Sequence, residues 1–143
     1  MAVDTNILVY AHRLEVREHD AAQAALKELA EGRAPWAIPW PCLYEFFSNV
    51  TNPRIWKDNP TSPEQASLQL NAWLGSPTLR CLAEGEDFWP ILERLIRRPR
   101  VRGPVVHDAR IAALCLAHGV EELLSRDRDF SLFPELRVRN PVA

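Results

Sequence analysis

The chain opens on an apolar run, Met1-Ala2-Val3, breaks at Asp4-Thr5-Asn6, and resumes with Ile7-Leu8-Val9-Tyr10-Ala11. That pattern predicts a buried strand ending at Asp4 and a helix beginning near Ile7, capped by Thr5 or Asn6. Ala21, Ala22, Ala25, Leu26 and Leu29 then recur at helical spacing, so an amphipathic surface helix is expected over residues 15–31, with Asp20 as its cap and Gly32 as its stop. Trp36-Ala37-Ile38 reads as a second short strand closed by Pro39 and Pro41. A helix starting near Pro41 gathers Leu43, Tyr44, Phe46, Phe47 and Val50, and proline suits its first turn because the amide it lacks would go unpaired there.

Residues 52–61 hold two prolines and two asparagines and are expected to form an irregular connection. Ser62-Pro63-Glu64-Gln65 combines a capping box with proline at the first helical position, predicting a helix to about Leu74 that Gly75 ends. Residues 79–83 suit a third strand, and Asp87 is placed to cap a helix through Phe88, Trp89, Leu92, Leu95 and Ile96. His107-Asp108-Ala109-Arg110 opens an apolar helix that continues through Ala117, with Gly119 just past its end. Residues 122–125 and 136–138 are the last strand candidates. Strands that alternate with helices predict an α/β fold, a central parallel sheet covered by helices on both faces, and a single domain over residues 1–143.

Composition narrows the class without changing this picture. At 143 residues, 47% hydrophobic and 25% charged, the chain can bury a core of its own. It has no run long enough to span a membrane and no basic leader before its first apolar stretch, so the expected location is cytoplasmic with no membrane partner. Cys42, Cys81 and Cys115 are odd in number and widely spaced, which fits core filling rather than disulfides or zinc. The histidines His12, His19, His107 and His118 likewise show no close ligand pairing. A net charge of -2 gives no general attraction for nucleic acid, so any polyanion must be met by a local patch or a bound cation.

The candidate chemistry is acidic. Asp4 ends a strand, and ligands of open α/β sheets bind beyond strand carboxyl ends; the alternative is that Asp4 only caps the next helix. Glu45 stands among apolar neighbours, where a carboxylate needs a partner or a cation, unless it faces solvent near a helix start. Asp108 lies at the start of the late helix and Asp127 follows the strand candidate 122–125. In a parallel sheet these four acids can meet at one edge, an arrangement that hard divalent cations make reasonable at neutral pH. Whether one ion or two is held stays open. Arg97, Arg98, Arg100 and Arg102 form the densest positive run, either a phosphate-gripping edge or a helix C-terminus where positive charge meets the dipole.

With these residues in view, the chain resembles the PIN-domain ribonucleases of the VapC toxin type, from toxin-antitoxin systems. The resemblance rests on Val3-Asp4-Thr5-Asn6, Glu45, His107-Asp108-Ala109 and Ser125-Arg126-Asp127-Arg128-Asp129-Phe130, and it spans nearly the whole length. It implies that Asp4, Glu45, Asp108 and Asp127 form a catalytic, metal-binding quartet supported by Asn6 and Ser125. Asp129 would either give a water-mediated metal contact or cap the turn before Phe130, the cap being preferred. The resemblance further implies Mg2+, with Mn2+ as a substitute, cleavage of RNA, a homodimer, and a cognate antitoxin protein.

Two rival classes remain. One is a catalytically silent module of the same fold that binds RNA or an antitoxin-like protein; the presence of all four acids argues against it. The other is a phosphate-accepting receiver domain, which resembles a site needing a lysine near a late strand, whereas the only lysines are Lys27 and Lys57. Trp36, Trp40, Phe46, Phe47 and Trp56 cluster around the early helix and are expected to be mostly core, the alternative being a groove for an antitoxin or a second copy.

Overall fold

The computed structural model describes residues 1–143, and its sheet is built around strand β1, Ala2–Val3, whose two residues are wholly buried. Strands β2 (Trp36–Pro39) and β3 (Leu79–Leu82) lie on one side of it, β4 (Glu122–Leu124) and β5 (Arg137–Arg139) on the other. All pairings are parallel, in the order β3-β2-β1-β4-β5. Ala2 sits opposite both Ala37 and Leu123, and Val3 opposite Leu124. Parallel sheets need cover on both faces, which is why the central strands are continuously apolar rather than alternating.

The chain first lays strands outward from β1 to β3, then returns past β1 to place β4. Right-handed crossovers therefore put α1 (Thr5–His12), α2 (His19–Glu31), α3 (Trp40–Val50) and α4 (Pro63–Leu74) on one face, and α5 (Phe88–Ile96) and α6 (Val105–Ala117) on the other. The strand order reverses between β1 and β4, the position where open α/β sheets bind ligands beyond the strand carboxyl ends. Asp4 and Ser125 occupy that position. A 3-10 helix, Arg128–Leu132, follows β4 at once and keeps the next acids close by.

Every helix and strand expected from the sequence is present, the 3-10 helix over Arg128–Leu132 was not expected, and element ends depart from the reading where a tertiary contact decides. Helix α1 starts at Thr5 rather than near Ile7, because Asp4 itself is the cap: its Oδ1 accepts from the Thr5 amide at 2.8 Å. The helix expected over 15–31 begins only at His19, and Asp20 is not its cap. Glu15 and Glu18 are drawn away instead, Glu15 to Arg13 and Asn59, Glu18 to Arg126. Asp87 precedes α5 without capping it, α6 starts at Val105 ahead of His107, and β5 lies one residue beyond its expected start. The capping box before α4 is as predicted: Gln65 N donates to Ser62 Oγ at 3.1 Å, and Ser62 N to Gln65 Oε1 at 3.4 Å. Gly119, at φ +70°, turns the chain out of α6 in a conformation that a side chain would strain.

The core is one contiguous cluster running from Ala2 to Leu136. Trp36 and Phe46 are buried in it, while Trp40, Phe47 and Trp56 pack on its edge, so the aromatic cluster is largely structural. Cys42 and Cys115 are wholly buried and Cys81 partly so, in keeping with core filling. Burial pushes the Cys115 thiol up to about 12, and Cys42, beside Asp4, well above the ordinary thiol range. The irregular stretch 52–61 is tied down by the buried Arg13, whose guanidinium lies 3.9 Å from the Trp56 ring centroid and donates to Thr61 Oγ1 at 3.0 Å and Asn59 Oδ1 at 3.1 Å. No helix is long and apolar enough to cross a membrane.

Candidate active site

Asp4 is only 6% exposed and is held from several sides. Its Oδ1 receives the Thr5 amide, and its Oδ2 receives Ser125 Oγ at 2.7 Å and Asn6 Nδ2 at 3.4 Å. Burial raises its carboxyl above the usual carboxylate range, and the bonds from Ser125 and Thr5 offset part of that. Of the two readings of Asp4, the structure shows the cap, with one oxygen holding the Thr5 amide, and it places the residue at the carboxyl end of β1.

Ser125, 2% exposed, is the joint between the two halves of the site. Besides donating to Asp4, its oxygen accepts from the Asp127 amide at 3.0 Å and from Asn6 Nδ2 at 3.3 Å. Asn6 completes the tie by accepting the Arg126 amide on Oδ1 at 3.1 Å. Asn6 and Ser125 lock the start of α1 to the end of β4.

Glu45 is exposed on α3, and Thr5 Oγ1 donates to its Oε2 at 2.7 Å. Thr5 was read only as a cap; its second role, donating to Glu45, depends on α3 lying beside α1 and has no local signal. Cys42 is a second such residue, its thiol 3.6 Å from Asp4 Oδ1.

The tightest acidic group is Asp108, Asp127 and Asp129, with one carboxylate oxygen from each within 4.8 Å of the others. Asp127 caps the 3-10 helix, accepting the Asp129 amide on Oδ1 at 2.8 Å. The cap preferred for Asp129 is therefore supplied by Asp127, and the Asp129 carboxylate is left to join the cluster. Asp108, in the first turn of α6, is pushed up to about 7 by burial and then by the charges of Asp127, Asp4 and Asp129. A carboxylate so disfavoured as an anion among other carboxylates is the setting that a hard divalent cation relieves, and the donors are all oxygen, as Mg2+ and Mn2+ require.

The arginine run takes a different place. Arg97 is at the C-terminal cap of α5, and Arg98 is pinned to Glu135 and to the Leu132 carbonyl, holding the end of α5 against the segment after the 3-10 helix. Arg102 donates to the Val101 carbonyl at 3.4 Å, and Arg100 is exposed. The arginines beside the acids are Arg126 and Arg128, which line the cavities that open next to Asp127. Their proximity follows from the turn after β4.

Residues 1–136 match the PIN domain family profile. Ribonuclease VapC43 of Mycobacterium tuberculosis is 37% identical over 142 residues, covering 99% of this chain and 95% of the relative. Ribonuclease VapC48 of the same organism is 30% identical over 140 residues, covering 98% and 96%. Among solved structures, VapC20 of Mycobacterium tuberculosis, described as a Sarcin-Ricin loop cleaving toxin, superposes with a TM-score of 0.70 at 18% identity, covering 97% of this chain and 98% of that one. VapBC2 from Rickettsia felis, bound to a DNA fragment from its promoter, gives 0.67 at 22% identity over 97% and 96%. Full-length sequence similarity, the reversed strand order and the acids gathered at the reversal agree, and the chain belongs to the PIN-domain family, on the branch of the VapC ribonucleases.

Proposed function

We propose that the protein is a divalent-metal-dependent endoribonuclease, the toxin of a VapBC-type pair, with Asp4, Glu45, Asp108 and Asp127 as its catalytic acids and Asp129 as a further ligand. The observation that carries this reading is the meeting of Asp108, Asp127 and Asp129 beside the buried Asp4 at the switch point of the sheet. A bound Mg2+ or Mn2+ supplies an activated water and positive charge for the phosphoryl oxygens. Asp4, Glu45, Asp108 and Asp127 would hold it, with Asp129 as a further ligand. Ser125 and Asn6 keep Asp4 in one orientation, Thr5 aims Glu45, and the 3-10 helix fixes Asp127 relative to Asp129. Preorganised groups of this kind avoid reorganisation during the reaction.

The same reading includes a cognate antitoxin and a homodimer as partners. Exposed Tyr44, Ile55, Leu68 and Trp89 supply apolar surface suited to protein contacts. The test is incubation of the purified protein with total RNA, with magnesium and with chelator. Discrete fragments that need the metal support the nuclease; RNA binding without cleavage in either condition replaces it with the silent interaction module.

A further inference from the structure

Between the 3-10 helix and β5 lies a groove of about 600 Å³. Its floor is apolar, with Phe130, Leu136 and Val138, and its rim carries Arg126, Arg128, Ser131 and Asn140. A polar cavity of about 480 Å³ shares Arg126, Asp127, Arg128 and Asn140 with it and adds Asn6 and Tyr10, so the groove runs directly to Asp127 of the acid cluster.

The two arginines on the rim are not equivalent. Arg126 is committed inside the protein, to Tyr10 Oη at 3.0 Å and to Glu18. Arg128 is exposed and forms none of the ion pairs that occupy Arg13, Arg98, Arg110, Arg126 and Arg139. Asn140 is oriented by its own backbone: Oδ1 accepts the Val142 amide at 3.0 Å, which leaves the Nδ2 hydrogens for another acceptor.

Resting on the ribonuclease reading above, we infer that this groove holds a nucleotide of single-stranded RNA next to the bond that is cut, with Arg128 on a phosphate and Asn140 on the base edge. The groove's size falls in the range of small-ligand sites, roughly 300 to 1,000 Å³. An apolar floor with a free cation and a fixed amide donor on its rim matches the parts of a nucleotide, a flat base with acceptors on its edge and an anionic phosphate. A peptide of acidic residues alone satisfies Arg128 but leaves the floor unfilled. Continuity with Asp127 places the bound nucleotide beside the catalytic acids.

The test measures binding of fluorescent single-stranded RNA octamers to the Asp108→Asn protein in magnesium, so that cleavage does not interfere. Adding Arg128→Ala should weaken binding of all sequences about five- to tenfold near 0.1 M salt and lower the salt slope by about 0.7, the contribution of one phosphate contact on a single strand. Adding Asn140→Ala should flatten the base preference at one position of the octamer. Arg33→Ala, remote and exposed, is the control and should leave both unchanged.

No binding by the background protein, or affinity and preference unchanged in both groove variants, overturns the inference. Hexaglutamate that binds the background protein and is lost with Arg128→Ala, while RNA affinity holds, also overturns it and makes the groove a peptide site. Cleavage by the parent protein is scored separately. A parent that cuts while the groove variants bind RNA normally keeps the nuclease reading and removes the groove; a parent that never cuts while the variants lose RNA keeps the RNA site and removes the nuclease reading.

Discussion

Asp108 is strained as an anion by burial and by the acids around it, and its protonation gives a direct readout of that strain. Its folded-state pKa of about 7 lies above the ordinary 3.8, so between those values the folded protein holds a proton that the unfolded chain has released. The resulting destabilisation is absent below the ordinary value, grows as pH rises, and is complete above about 7. In chelator, the melting temperature of Asp108→Asn should therefore exceed the parent's by a margin that widens from pH 5 to pH 8, and the mutant should lose RNA cleavage. Parallel melting curves across that range would contradict this account. Ser125→Ala removes the strongest bond to the Asp4 carboxylate, so Asp4 should become harder to ionise. The acid limb of the pH–rate profile should move to higher pH, and Ser125→Thr, which keeps the hydroxyl, should restore it. The acids themselves were legible as residue types at strand ends and helix starts. Their partners were less so, because Thr5 reaches Glu45 across forty positions and Asp129 joins Asp108 only once the 3-10 helix has formed.

At the scale of elements, local signals were readable and tertiary ones were not. The box before α4 is closed by residues three apart, so sequence alone could place it; Ser62→Ala should cost about 1 kcal/mol in urea unfolding without changing cleavage. The start of α2 went unread because Glu15 is held by Asn59 and Glu18 by Arg126, partners that no local window contains. Arg13 also decides the shape of 52–61. Its replacement by alanine strips charge-assisted bonds from Thr61, Asn59 and Glu15 and should destabilise by on the order of 2 kcal/mol, with faster proteolysis within that stretch as the local readout. If proteolysis is instead uniform, Arg13 is not the clasp described. The arginine run belongs to the same lesson: four like residues signal positive charge, but the partners of Arg98, Glu135 and the Leu132 carbonyl, lie more than thirty positions away.

For the whole molecule, parallel alternation was enough to predict the sheet, while the strand order that creates the crevice is a property of how the chain returns from β3 to β4. A cation that binds only the folded arrangement stabilises by mass action, by about 2.7 kcal/mol at a hundred times its dissociation constant. Millimolar Mn2+ should raise the parent's melting temperature clearly and that of Asp108→Asn much less. An equal response in both proteins would remove the shared metal site. The position of β4 has one more consequence, and it concerns time. The Asp4 amide bonds to the Leu124 carbonyl at 3.0 Å, and Asp4 takes its second hydrogen bond from a serine 121 positions away. A ribosome that has delivered the chain only as far as Val120 has released Asp4, Glu45 and Asp108, yet Ser125, Asp127 and Asp129 are still to come. Contacts so distant in sequence close last. The emerging polypeptide therefore has no complete acid cluster until residues 125–129 have followed β4 out, so the late place of β4 in the chain delays assembly of the site.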